Sequence, residues 1–424
     1  MSVSKEALIN KLAINGGQKA VTDPFPPRGH FGAEEKAAAD RILDAAISSG
    51  SAPIYGGEEE EAFCKEFSEL LGGGYADAVN SGSTAVFVAL RALEIEPFSE
   101  IIVGSVTDPG GFMPIPLMNC IPIVADTNKD TFNMSLDSIK KLVTPLTKAI
   151  VVPHIAGEPA DIENIVAFTK EKGIYVVEDC AQAHGAELNG KLMGTFGDIA
   201  AYSTMYGKHT CTGGQGGMVF TKSEELYWKI RQYSDRGKPF GLPAGSDNCV
   251  ASLNMNLEEL SCAIGRVQIK KMRSIAEGRR RVIEKIKDGI KDISWIKPTP
   301  ILAGAKPSYW FFRMIVDESK IICTKNEFAS AVSAEGLGVN TYYMATPYTA
   351  EWYLNRKVFG SSRYPWEASD YKGDHDKYYT LADLPNTKAA LESTIIIYPV
   401  ESWTDKDINA AISAIRKVAE AYEK

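Results

Sequence analysis

One lysine, Lys208, stands in the stretch AYSTMYGKHTCTGGQGGMVF, with four glycines crowded behind it and apolar, strand-like residues at both ends. A loop so rich in glycine lets backbone approach another group closely. A lysine in such a place can act as a Schiff-base amine when its surroundings lower its pKa. A lysine on a flexible surface loop is the ordinary alternative, so the reading depends on what else the chain offers. NSGSTAVFVAL sets Gly82 and Ser83 at the start of a helical run. The free N–H groups of a helix start, with hydroxyls beside them, suit an anion, although a plain N-cap has the same signature. IYVVEDCAQAHGA runs a buried-type strand straight into Glu178 and Asp179. Parallel α/β sheets hold ligands at that end of their strands. An unpaired buried charge there is costly, while an aspartate capping the next helix would also account for it.

In chain order these are an anion cradle, a strand-end acid and a loop lysine. Together they match what pyridoxal 5′-phosphate needs: a helix start for its phosphate, a carboxylate for its pyridine nitrogen and a lysine for its aldehyde. The joint pattern is far more specific than any one part.

The elements that must position these groups follow from periodicity. Residues 1–30 read as an irregular N-terminal extension, with PFPPRG a rigid, extended connector. EEKAAADRILDAAISSG and EEEEAFCKEFSELLGGG read as amphipathic helices stopped by glycine. Short apolar runs (AIVVPHIA, IYVVED, GMVFT) then alternate with helical stretches such as DIENIVAFTKEKG. That predicts a large α/β domain over 31–265, layered on a mostly parallel central sheet. After about Gly265 a long helix leads into strand-like SYWFFRMIV and a helix–loop–helix end, so 266–424 reads as a smaller α+β domain.

Composition sets the bounds. A chain of 424 residues with 45% apolar and 24% charged residues suits two ordinary globular domains. A net charge of −8 argues against a nucleic-acid partner. No apolar run reaches the roughly 18 residues of a membrane helix, and MSVSKEALINKL lacks the apolar core of a signal peptide. Seven scattered cysteines without CxxC spacing suggest neither disulfides nor a metal site, and a cytoplasmic location is expected.

The sequence resembles the DegT/DnrJ/EryC1/StrS family of sugar and cyclitol aminotransferases, a branch of the fold-type I pyridoxal-phosphate enzymes. The resemblance runs from LAINGG nearly to the C-terminus through NSGSTA, VVPHIAGEPADI, VVEDCAQAHGA, GTFGDIAAYS, GKHTCTGGQGG and NMNLEELSCAIG. It implies that Lys208 forms the Schiff base, that Asp179 faces the pyridine nitrogen and that Gln182 approaches the ring. It further implies that Gly82 and Ser83 bind the phosphate through backbone N–H groups and Ser203 through its hydroxyl. Asn254 resembles a residue that reaches a phosphate across a homodimer interface. His154 falls where the family has a strand-end histidine near the site; a satisfied structural histidine fits equally. Tyr206 and Asp108 are candidate substrate contacts.

Two departures stand out. Where the family stacks an aromatic residue on the pyridine ring, this chain has VGSVTDPGG, with Asp108 in the aromatic position, so Phe112 or another ring must substitute or the cofactor is held differently. The lysine loop is also one residue longer, with Gln215 in the place of an acid. The late segment FGSSRYPWEASDYKGD is rich in rings for a loop, and reads either as substrate-facing or interface surface or as packing for the small domain. With LAINGG it leans slightly toward the cyclitol and aminohydroxybenzoate branch. The expected reaction moves nitrogen from glutamate or glutamine to a keto-sugar or keto-cyclitol. A dehydratase on the same scaffold, or a degenerate relative acting as a partner or regulator, are the alternatives.

Overall fold

The structure is a computed structural model and describes residues 4–343, 346–376 and 379–424. Its centre is a seven-stranded sheet in the order Tyr75–Val79, Gly217–Thr221, Ile199–Ser203, Tyr175–Asp179, Thr147–Pro153, Glu100–Gly104, Ile121–Ala125. From Ile199–Ser203 to Ile121–Ala125 every pairing is parallel. Their residues are almost all buried, as the continuous apolar runs predict.

Gly217–Thr221 departs from the expected direction: it runs antiparallel to both its neighbours. A parallel return needs a crossover, usually a helix. Residues 204–216 contain no helix and instead form the lysine–glycine loop, so the chain folds back with Ser203 opposite Gly217. The loop that carries Lys208 thus sits at the carboxyl end of the parallel strands.

The two early helices form as predicted, Ala33–Ser49 and Glu58–Leu70, the first ending at Gly50 with φ 65°. The helix Glu259–Ile290 begins before the predicted change of texture near Gly265 and runs unbroken through it. Cys262 and Ile269 join the core of the large sheet, while Val282, Ile286 and Ile290 join a second core. That second core packs a three-stranded antiparallel sheet (Ile296–Pro298, Phe312–Val316, Thr394–Ile397) against the helices Lys325–Ala334 and Asp405–Tyr422. The expected helix–loop–helix end therefore also contributes a strand.

The ring-rich late segment does pack, but against the large sheet rather than the small domain. Trp366 and Tyr371 are buried in the first core with Tyr348 and Tyr353. The Tyr371 hydroxyl donates to Glu100 (2.9 Å), and the Thr387 hydroxyl meets Ser105 (2.6 Å) and Asp126 (2.7 Å). These contacts tie Tyr371 and Thr387 to the ends of the strands Glu100–Gly104 and Ile121–Ala125.

The cores are further joined by a buried ion pair between Glu158, after the Thr147–Pro153 strand, and Arg313, in the strand Phe312–Val316. Arg313→Met would leave Glu158 buried without its cation, a loss of roughly 3–5 kcal/mol. Denaturant unfolding should show that loss, and a Glu158→Gln/Arg313→Met double variant should recover part of it. Additive losses would mean that the two residues act separately.

Candidate active site

Gly82, Ser83, Asp108, Asp179, Ser203 and Lys208 line one cavity of about 150 Å³ at the carboxyl end of the sheet. They come from a helix start, two strand ends, the segment before a short helix and the lysine loop.

The anion cradle is local. Ser81 caps the helix Gly82–Ala92, its hydroxyl accepting from the Thr84 N–H (3.1 Å) and its carbonyl from Ala85 (2.9 Å). Among the described residues, the N–H groups of Gly82 and Ser83 have no protein acceptor, at the end of the helix that favours negative charge. A Cβ on Gly82 would stand 2.5 Å from the Ser203 Cβ, so glycine is what lets this helix start meet the strand end carrying the Ser203 hydroxyl.

The acid and the amine are both nearly closed to water, Asp179 being 7% and Lys208 8% exposed. Asp179 uses one carboxylate oxygen to accept from the Ala181 N–H (3.0 Å), so it does hold the following turn. Its other oxygen faces Gly111, where a Cβ would come within 2.7 Å. Burial pushes the Asp179 carboxyl above the usual range, against the pull of the Ala181 N–H and Lys208. Burial pushes the Lys208 amine below the usual lysine range, and Asp108 and Asp179 oppose that fall. The Lys208 Nζ lies 4.7 Å from the centre of the Trp310 ring. A desolvated amine held between carboxylates and an aromatic face is suited to nucleophilic attack on a carbonyl.

The other predicted residues lie elsewhere. His154 is buried, with Nε2 against Glu178 (3.1 Å) and Nδ1 accepting from the Ala160 N–H (3.1 Å). Both nitrogens are occupied, which favours the structural role over the catalytic one. Gln182 is spanned between the Tyr343 hydroxyl (2.6 Å) and the Ala156 N–H (2.8 Å) and does not line the cavity. Tyr206 is 72% exposed, away from the cavity wall. Asn254 is also exposed, its side chain accepting from the backbone and amide of Asn256 (3.2 and 2.7 Å). His154, Glu178 and Cys180 cluster closely enough to suggest metal ligands. Glu178, however, already accepts from His154 and from the N–H groups of Gly194, Phe196 and Gly197.

Asp108 lines the cavity and caps the short helix Pro109–Phe112, accepting from the Gly110 N–H (2.8 Å). Phe112 does not replace the missing ring. It is fully buried and packs edge-on against Trp352 and Tyr353 (5.6 Å each). Gly110 and Gly111 allow this helix to approach Ser83 and Asp179, and the residue missed in the sequence is Trp310, packed on the small cluster of Val106, Ile155 and Phe311. The glycine pair was visible as a sign of close approach. Trp310 carried no signal, because only the tertiary fold brings it to Lys208.

A buried lysine facing a strand-end aspartate, beside an open helix start on a mostly parallel sheet, is the arrangement of a pyridoxal-phosphate enzyme of fold type I. The comparisons narrow this. Residues 33–416 match the DegT/DnrJ/EryC1/StrS aminotransferase family, and the chain belongs to it. The chain is similar to a GDP-perosamine synthase from Escherichia coli O157:H7, at 33% identity over 55% of this chain and 63% of that protein's length. It also resembles the spore coat polysaccharide biosynthesis protein SpsC of Bacillus subtilis strain 168, at 27% identity over 87% of this chain and 91% of the relative. An aminotransferase structure from Psychrobacter cryohalolentis superposes with a TM-score of 0.79 at 26% identity, covering 92% of this chain and 98% of that one.

Asp179→Asn keeps the shape and the Ala181 contact but removes the charge. The variant should still bind cofactor while turnover falls on the order of a hundredfold. The Lys208 amine, relieved of one of the carboxylates that hold its proton, should also titrate lower. Near-normal turnover would reduce Asp179 to a turn cap.

Proposed function

We propose that the protein moves an amino group from glutamate or glutamine to the keto carbon of a sugar or cyclitol, with pyridoxal 5′-phosphate held at this cavity. The observation that carries the reading is the desolvated Lys208 amine beside Asp179, one helix start away from two free N–H groups. When bound, the cofactor supplies an electron sink for the carbon that gains or loses nitrogen. Gly82 and Ser83 hold its phosphate through N–H groups and Ser203 through its hydroxyl. Asp179 keeps a proton on the ring nitrogen. Lys208 takes a proton from the substrate carbon and returns one to it.

The perosamine and coat-polysaccharide names of the relatives support a sugar acceptor over a cyclitol. Among the described residues no helix is long and apolar enough to cross a membrane. For the homodimer, the support is a surface. Asn254 is exposed, and so are its neighbour Leu253 (69%) and Ile54 (58%), brought near by the contacts of Arg236 with Tyr55 and with the Leu253 carbonyl. A second copy on that face would cover apolar side chains and bring Asn254 toward a site that its own chain does not let it line.

Asp108 is the proposed acceptor-side contact. One of its oxygens caps Gly110, and the other is available to a substrate hydroxyl. The test separates the two halves of the reaction by absorbance. Glutamate or glutamine should bleach the yellow enzyme, and one member of a panel of keto-sugars and keto-cyclitols should restore the colour. Asp108→Phe should keep the bleaching half and lose the restoring half. If both halves run unchanged, Asp108 is only a helix cap; if the wild type never bleaches, transamination is the wrong reaction.

A further inference from the structure

The geometry points to Arg28, in the N-terminal extension, as a positioning residue for the Lys208 amine, acting by holding the backbone of Lys208 and His209 in its guanidinium fork. This rests on the reading of Lys208 as the cofactor lysine. Sequence alone treats the stretch around Arg28 as a connector. In the structure one guanidinium nitrogen donates to the Lys208 carbonyl, the second donates to the His209 carbonyl (2.7 Å) and Nε donates to Glu401 (2.7 Å).

The network continues on the far side of the amine. The second oxygen of Glu401 accepts from Arg279 Nε (2.9 Å), and Arg279 Nη1 donates to the carbonyls of Tyr309 (2.9 Å) and Trp310 (3.2 Å). Trp310 is the residue whose ring lies 4.7 Å from Lys208 Nζ. One chain of contacts therefore fixes both the backbone that carries the amine and the ring that faces it. The side chains are desolvated: Arg28 and Glu401 are each 15% exposed and Arg279 is 3% exposed.

The loop needs such a clamp. Its glycines give it freedom, and it has neither a helix nor a strand between Thr204 and Gly216. The Lys208 and His209 carbonyls are buried acceptors that the sheet does not satisfy, and such groups are costly to leave unpaired. Arginine suits the task because its planar fork offers several donors in fixed geometry, whereas lysine is a point charge.

The experiment compares Arg28→Lys, Arg28→Gln and Glu401→Gln with the wild type, loaded with pyridoxal phosphate. It reads the apparent Kd of the cofactor, the pH midpoint of its visible band and the melting temperature. Arg28→Lys keeps the charge opposite Glu401 but cannot reach both carbonyls. It should weaken cofactor binding roughly tenfold or more and displace the pH midpoint, and Arg28→Gln should do the same. Glu401→Gln leaves the fork on the carbonyls but loosens its anchor, and should disturb the band less than the Arg28 variants do while lowering the melting temperature. The proposal is overturned if the Arg28 variants lower only the melting temperature, or if Glu401→Gln disturbs the band as much as they do. A wild type that forms no visible band would instead refute the cofactor reading.

Discussion

The central constraint on this structure is that an amine must be kept nearly dry without losing its reach. Desolvation alone would disfavour the charged form of the Lys208 amine. Asp108 and Asp179 restore part of the charge stabilisation that water would give, and Trp310 closes the remaining side. Each of these partners comes from a different part of the chain. A strand end, the turn before a short helix and the residues just before the strand Phe312–Val316 meet at one point.

Glycine does much of the assembly. At Gly82, Gly110 and Gly111 a Cβ would strike Ser203, Ser83 and Asp179, at 2.5, 2.3 and 2.7 Å respectively. At Gly217 it would meet the Ser81 carbonyl at 2.4 Å. The cavity wall is thus glycine backbone packed directly against the side chains of Ser203, Ser83 and Asp179 and, at Gly217, against the Ser81 backbone. The segment VTDPGG shows how such a wall can change. Its aspartate caps a one-turn helix whose Phe112 is drawn away into the Trp352 and Tyr353 cluster. Asp108, a polar group, is left to line the cavity.

Much of the site was legible in the sequence because its parts are local. A helix start, a strand end and a lysine before glycines each announce themselves within a few residues, and the cavity brings Gly82, Ser83, Asp179, Ser203 and Lys208 together. What was not legible depends on long-range pairing. The reversal of Gly217–Thr221 follows from a loop without a crossover helix, which apolar pattern alone does not reveal. Arg28 and Trp310 reach Lys208 from 180 and 102 residues away in sequence, and no local signal marks them. The rings around Trp366 left open whether they would face a ligand or pack, and gave no sign of the surface they cover. His154 was open between two roles, and its two occupied nitrogens show why a strand-end histidine cannot be assigned from position alone.

The most direct test of the account is borohydride reduction of the cofactor-loaded protein followed by peptide mapping. One stable pyridoxyl adduct is expected, on Lys208, with loss of the visible band on reduction. An adduct on another lysine, or no adduct in protein that holds the cofactor, would contradict it.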